Sequence, residues 1–506
     1  MHPSADIRFS RVGFVDRDSA KVLVREPDSS QYPIHVYLKD QSGRWSKEDT
    51  IFYADEATDY TYPVTFEPLS ADTEYLYELS NNLTGSFKTA PRQSDTADQK
   101  LTFLTSSCIK ANFPYSPFNH ALHIPGFTHL STIIQSLPSP AAFMLFLGDF
   151  IYIDVPLRLS STVDHYRAEY RRVYASSSWQ LPDVSSIPWL HTLDDHEIAN
   201  DWSSGNETEP FPSAADPFIH YHVAVNPPVP PKLSPENTTY FQFTRGPASF
   251  FMLDTRRYRT TPEPELKSAV GPKPRYASPT SWFYNGTDSD PRHSASAHTM
   301  LGTTQLNTLL RFISTPEPSH VHWKFITSSV PFTKNWRFGT SDTWGGFLAE
   351  RQIILDAMHA AEAHLGIRII ILSGDRHEFG AIRFPPPTAA NPKTPTSSNS
   401  STTEYDQQSQ SGPHEFSVGP LSMFYLPFRT FRQVDGQDVS IKYLPDGNSK
   451  VGAIDLQNLA GVGQQKSLMR YSLYVNGKVT WEYTLTSPAP SFEGHRESAG
   501  GWRDWF

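Results

Sequence analysis

The sequence predicts an α/β protein preceded by a small β-sandwich. Two patterns predict it. Within residues 101–380, five runs ("LTFLTSSC", "AAFMLFLGDF", "ASFFMLDTRRYR", "HWKFITSSV" and "IRIIILSGDRHEFG") are apolar throughout and end in polar, chemically capable residues. Strands covered on both faces read this way. Ahead of them, residues 7–90 alternate apolar and polar between turn residues, the mark of half-buried antiparallel strands. At 506 residues the chain is too long for one simple core, so at least two domains are expected.

In chain order, "KVLVREP" and "IHVYLKD" are strands of the sandwich. A turn at Ser70–Asp72 leads into a strand with Tyr75, Tyr77 and Leu79 on one face. Asn81 and Asn82 turn the chain, and "GSFKTAP" returns as the last strand. This resembles the end of an immunoglobulin or fibronectin type III sandwich. Residues 91–99 read as a linker, and the five apolar runs come after it. Helical patterns separate some of them: "TTQLNTLLRFI" at 303–313, and Glu350 to Leu365 closed by Gly366. Residues 203–238 and 260–298 read as Pro-, Ser- and Asn-rich insertions, and 385–412 as low complexity. "RYSLYVNGKVTWEYTL" is a hairpin turning at Asn476-Gly477. The expected domains are 1–98 (sandwich), 99–490 (α/β, carrying the 385–412 insertion) and a tail at 491–506.

Composition narrows the function. The net charge of −10 provides no basic face for nucleic acid. A single cysteine, Cys108, excludes an intrachain disulfide and points to a reducing compartment. Sequons at Asn82, Asn206, Asn237, Asn285 and Asn399 pull the other way and make the chain a glycoprotein candidate. No apolar run is long enough to span a membrane. Residues 1–20 hold no signal-peptide core. As it stands the chain reads as soluble and cytoplasmic, or as secreted or cell-surface if a signal or anchor precedes Met1.

Alternating β and α elements place polar groups at the carboxyl ends of strands. Those ends carry Cys108 and Lys110, then Asp149 with Tyr152 close behind, then Asp375 and His377. The stretch "TLDDHEIANDW" adds Asp194, Asp195, His196, Glu197, Asn200 and Asp201. Carboxylates converging on one rim repel one another unless a cation sits among them. Oxygens and imidazoles suit hard or borderline metals, and a thiolate or phenolate shifts the preference toward iron or zinc. Asp194 also fits a helix N-cap, with Asp195 free for metal. Arg256, after the strand-end Asp254, can meet a phosphate or pair with a carboxylate. His165, His220, His222, His293 and His298 read as loop or surface histidines.

"SSCIK", "LFLGDFIYID", "DHYRAEYRRVYAS", "LDDHEIANDW", "MLDTRRYR" and "LSGDRHEFG" occur in this order, with "HEFSVGPLSMFYLP" after them. Together they resemble the alkaline phosphatase D (PhoD-like) family of metallophosphatases over about residues 100–485. The resemblance implies a four-layer α/β/β/α metallophosphatase sandwich behind the N-terminal β-sandwich. It implies a ferric ion held by a Cys thiolate, a Tyr phenolate and carboxylates, with calcium beside it; zinc or manganese are the alternatives. Cys108 matches the ligating cysteine and Asp149 a bridging acid. Tyr166 is the best match to the tyrosine, ahead of Tyr170 and Tyr152. Asp195, Asn200, Asp375 and His377 complete the metal set. His196, His377 and Asp195 take catalytic roles, and Lys110 and Arg256 face the substrate.

The chain departs from the family pattern at Leu193, where Trp is usual, at Lys110, where Gln is usual, and at Asp201, often Asn. The expected activity is hydrolysis of small-molecule phosphate monoesters, and of diesters beside them, by a metal-activated water. The alternative is a catalytically degenerate binding or scaffold protein on the same fold. A metallohydrolase acting on another ester is a third reading.

Overall fold

The alternating N-terminal stretch forms seven strands in two antiparallel sheets. One holds β1 (Phe9–Val15), β2 (Ala20–Arg25) and β5 (Thr61–Phe66), and the other β3 (Ile34–Lys39), β4 (Trp45–Ile51), β6 (Glu74–Leu79) and β7 (Thr84–Lys88). The structure is a computed structural model that describes residues 4–92, 99–113, 115–203, 205–229, 238–260, 298–386, 411–459 and 466–487. Tyr75, Tyr77 and Leu79 alternate inward as their spacing requires. They share one cluster with Val22, Val36 and Phe87. Asn82 turns the chain at φ 67°, a left-handed position that Asn tolerates.

This small unit is tied firmly to the larger α/β part. Phe9 and Leu23 leave its own cluster and join one there. The buried Arg11 donates to the carbonyls of Trp189 (3.2 Å) and Tyr221 (2.7 Å). Asp59 accepts from Arg25 (3.0 Å), Arg171 (2.7 Å) and the Tyr221 hydroxyl (2.6 Å).

The five apolar runs form β8 (Lys100–Ser106), β9 (Met144–Phe146), β12 (Ala248–Met252), β13 (Trp323–Ser328) and β14 (Arg368–Ser373). They divide between two sheets. The first has six strands, in the order β10 (Trp189–His191), β9, β8, β18 (Lys450–Leu459), β19 (Lys466–Val475) and β20 (Lys478–Ser487). The second has seven: β11 (Phe241–Arg245), β12, β13, β14, β16 (His414–Ser417), β15 (Phe379–Arg383) and β17 (Val439–Leu444). The strands β8, β9 and β10 run parallel, as do β12, β13, β14 and β16.

Facing side chains of the two sheets form one cluster that includes Phe103, Leu145, Phe250, Phe325, Ile370 and Phe416. Phe103 meets Phe250 and Phe325 edge-on at 5.2 and 5.1 Å. Each such side chain contributes about 1.5–3 kcal/mol by burial. The other face of the six-stranded sheet carries α1 (Pro125–Ser136), α2 (Val163–Tyr174), α3 (Pro182–Ser185) and α4 (Phe211–Tyr221). The other face of the seven-stranded sheet carries α5 (Gly302–Ser314) and α6 (Leu348–Leu365). Gly366 closes α6 at φ 64°, and Asn476-Gly477 turns β19 into β20 at φ 49° and 80°.

Two expectations need correction. Part of the stretch read as a 203–238 insertion is the helix α4, because Ala214, Phe218 and Tyr221 give it an apolar face. His222, read as a surface histidine, is fully buried against His191. Most of 260–298 and 385–412, the tail at 491–506, His293, and the sequons at Asn237, Asn285 and Asn399 lie outside the described residues.

Candidate metal centre

The parallel strands end at one rim. β8 delivers Cys108, β9 delivers Asp149, the chain after β10 delivers Asp194 to Glu197, and β14 delivers Asp375 to His377. Backbone bonds lock these ends together: Cys108 N–H donates to Gly148 O (3.1 Å) and Ile109 N–H to Asp149 O (2.8 Å). Gly148 sits at φ 94°, and a Cβ there would lie 2.5 Å from the Asp194 Cβ. Its lack of a side chain lets the two acidic segments meet.

Among the described residues ten non-glycines have positive φ. Four are here: Cys108 (65°), Asp149 (58°), Asp201 (57°) and Asp375 (68°). Left-handed backbone costs roughly 1–2 kcal/mol per residue. Its concentration at one rim marks a functional site.

Side chains converge accordingly. The Cys108 thiol lies 3.3 Å from Asp149 Oδ2 and 3.7 Å from the Asp375 carbonyl. The Tyr152 hydroxyl donates to Asp149 Oδ2 (2.8 Å) and lies 2.8 Å from His377 Nε2. His196 Nδ1 is 2.6 Å from Asp154 Oδ1, and Asp154 Oδ2 accepts from Asn200 N–H at 2.6 Å. Four overlapping groups bring their ligand atoms within 4.8 Å of one another: Cys108/Asp149/His377, Asp149/Asp195/His196, Asp194/Asp195/Asp375 and Asp195/Asp201/Asp342. Glu197 fixes the frame, accepting from the backbone of Asp149 (3.0 Å), Phe150 (2.5 Å) and Asp194 (2.8 Å).

The donor set fits cations. Asp149 Oδ1, Asp194 Oδ2, Asp195 Oδ1 and Asp375 Oδ2 are buried and accept no hydrogen bond. Leaving a buried carboxylate oxygen unpaired is costly. The protein's own cations fill only part of the gap: Arg376 Nε lies 3.0 Å from Asp375 Oδ2. Arg256 bonds Asp194 (2.6 Å) and Asp342 (2.7 and 2.8 Å), and stands 3.5 Å from Asp195 Oδ1.

Titration directions agree. Burial pushes Asp149 up to about 6, with His196 opposing and Asp195 adding. Burial pushes Asp375 up to about 7 against Arg376, with Asp195, Asp342 and Asp149 adding. Asp195 falls to about 2, because Arg256 and His196 outweigh burial. Burial works to lower His196, but Asp195, Asp149 and Asp154 hold it well above the ordinary range. His377 is pushed down to about 3 by burial, then by His196, Lys450 and Arg376. Burial also holds the Cys108 thiol and Tyr152 hydroxyl well above their usual ranges, with Asp149 adding. A bound cation reverses the upward shifts of Asp149, Asp375, the thiol and the phenol.

Cys108, Asp149, Asp375 and His377, at the strand ends, thus meet Asp195 and His196 of the acid-rich stretch. Tyr166 does not join them: it packs in the helical layer and its hydroxyl donates to the Ile198 carbonyl at 2.6 Å. Tyr152, ranked below it, has its hydroxyl beside Asp149 and His377 instead. Asn200 contributes its backbone, and its side chain is exposed. Lys110 donates to the Tyr152 carbonyl (2.8 Å) and lies 3.7 Å from Glu169. Arg256 is fully buried in its carboxylate pairs, so it positions acids rather than facing a substrate. Asp194 caps no helix; it binds Arg256 and the Ser329 hydroxyl. Sequence reasoning missed Asp154 and Asp342. Asp154 had a signal in "GDFIYID", two residues past the tyrosine, whereas Asp342 had none.

A family model described as PhoD-like phosphatase matches residues 103–459. Alkaline phosphatase D of Bacillus subtilis (strain 168) is 25% identical over 335 residues, 60% of this chain and 50% of that relative. The chain therefore spans about half the length of that curated relative. A solved structure of PhoD is similar with a TM-score of 0.60 at 17% identity, covering 94% of this chain and 89% of that one. That likeness concerns the fold.

Proposed function

The chain belongs to the PhoD-like phosphatase family, and from that premise we propose that it is a metal-dependent phosphoesterase acting on phosphate monoesters, with some diesterase activity. The observation that carries the reading is the set of four buried carboxylate oxygens that accept no hydrogen bond. Cys108, Asp149, Tyr152 and His377 would hold one cation, and this thiol and phenol set suits ferric iron better than zinc or manganese. Asp194, Asp195 and Asp375, all oxygen donors, would hold a second and suit calcium. Bound there, the cations supply charge for the phosphoryl oxygens and an acidified water at neutral pH.

The chain's own residues do the rest. Asp149 joins the two groups, with Oδ2 toward Cys108 and Tyr152 and Oδ1 unclaimed. Asp154 grips His196 at Nδ1, leaving Nε2 to carry a proton to the departing oxygen. Arg256 keeps Asp194 and Asp342 in place, and Glu197 fixes the backbone of Asp149 and Asp194. The same reading takes residues 99–490 as a four-layer α/β/β/α catalytic domain and 1–98 as an immunoglobulin- or fibronectin-like domain. The facing sheets with helices on their outer faces, and the two small antiparallel sheets, support it.

The test is metal content measured beside hydrolysis of 4-nitrophenyl phosphate and its bis ester. Iron and calcium should copurify, and Asp149→Asn should lose at least about a hundredfold in kcat/KM, the upper end for a residue that only supports a ligand. Metal-free protein that stays inactive after reconstitution would sink the proposal.

A further inference from the structure

Two pairs of phenylalanine rings lie near the turn from Asp375 to His377. Phe424 stands edge-on to the His377 ring at 5.1 Å, and Phe113 meets Phe424 at 5.6 Å. Phe338, next to the Gly339 whose carbonyl accepts from Arg376, meets Phe428 at 5.9 Å and 73°. These last two are 57% and 53% exposed. Paired rings left in water beside a polar site can receive a flat apolar group.

Arg376 links this ledge to the metal centre. Its Nε lies 3.0 Å from Asp375 Oδ2, in an ion pair without hydrogen-bond geometry. Its Nη2 donates to the Gly339 carbonyl at 3.0 Å, one residue past Phe338. Gly339 is at φ 59°, and a Cβ there would sit only 3.0 Å from that nitrogen. The glycine seats the guanidinium next to the rings, where a cation complements an anionic ester.

We propose that the Phe338–Phe428 ledge, with Arg376 beside it, receives the organic group of the phosphoester and selects a flat aromatic ring; this rests on the phosphoesterase reading. An aliphatic group has a rival surface. A cleft of about 200 Å³ is lined by Lys110, Tyr152, Val155, Leu157 and Leu159 among others. Its cations Lys110 and Arg172 share the Glu169 carboxylate, at 3.7 and 2.6 Å. Ledge and cleft therefore predict opposite preferences. Aromatic contact favours the ring by about two- to tenfold beyond its area.

The test compares benzylphosphonate with cyclohexylmethylphosphonate, which share a headgroup and differ in the ring. Their Kd values are measured by calorimetry on the full chain loaded with iron and calcium. Wild type should bind the benzyl compound about two- to tenfold tighter. The ratio should fall to about one in Phe338→Leu/Phe428→Leu and survive in Phe338→Tyr/Phe428→Tyr. A wild-type ratio of one or less, or a ratio unmoved by the leucine pair, overturns the ledge. A cyclohexyl preference abolished by Leu157→Ser assigns the organic group to the cleft instead. Hydrolysis of 4-nitrophenyl phosphate by wild type separates the two readings. Turnover with a flat ratio defeats only the ledge; an intact ratio without turnover defeats the phosphoesterase reading and leaves the ledge as a ring-binding surface without a substrate role.

Discussion

Two of the histidine pairs among the described residues differ in company rather than in burial alone. His191 and His222 stack at 3.6 Å and 10°, both wholly enclosed, with Phe150, Trp189 and Tyr174 around them. Burial pushes both well below the ordinary imidazole range, with Arg11 adding in each case. His196 and His377 sit among carboxylates at the rim, and His196 has Asp154 at 2.6 Å. Burial acts on all four rings. Only at His196 do acids outweigh it and hold the ring above the ordinary imidazole range. An acid partner, not enclosure, separates a proton carrier from a packing element.

The sharpest way to break this contrast is to remove one ring from each pair. His196→Asn should lower kcat by about 10²–10⁴, the usual contribution of a positioned acid. His222→Gln should keep activity per folded molecule and lower the melting temperature, because a well-packed buried ring is lost. Equal losses of kcat in both variants would erase the distinction. A smaller effect tests the partner. Asp154→Asn should cost about tenfold to a hundredfold in kcat with metal content unchanged, as expected for a group acting through another. Loss of metal in that variant would make Asp154 part of the metal site instead.

The same contrast explains what the sequence revealed. The strand ends were legible because runs such as "IRIIILSGDRH" are apolar throughout and then stop at acids and imidazoles. Cys108, Asp149, Asp375 and His377 followed from those stops, and His196 from the acid-rich stretch at 192–202. The tyrosine did not. Tyr166, Tyr170 and Tyr174 share helix α2, and their i, i+4 spacing serves equally for packing, which is what the structure shows. Tyr152 lay three residues past Asp149, and only the turn after β9 brings its hydroxyl back onto that carboxylate. Arg256 was ambiguous for a related reason: its partner Asp342 comes 86 residues later, with no local signal. His222 misled because a Pro-rich stretch around it hid a helix whose buried face includes Ala214 and Phe218. Local pattern finds strand ends; long-range pairs need the fold.

The smallest expected effect concerns the stacked pair and pH. An unfolded histidine titrates near 6.5. Folded His191 and His222 titrate well below that, so they stay neutral while the unfolded chain takes up protons. The unfolded state then binds more protons, and stability falls as pH drops. Stability from each ring is intact above about 6.5 and is lost below it at about 1.4 kcal/mol per pH unit, until the folded group itself protonates. Urea unfolding at pH 7.5, 6.5 and 5.5 reads this slope in wild type and in His191→Phe. Phenylalanine suits the site, where the ring already meets Phe146 at 5.6 Å and Phe150 at 5.2 Å. His359, which burial pushes down to about 4, and His414, which burial also depresses, titrate in both proteins and cancel. The variant should therefore lose stability less steeply below pH 6.5, by about 1.4 kcal/mol per unit. Parallel slopes would mean that His191 gains a proton without cost, and that its enclosure is not what keeps it neutral.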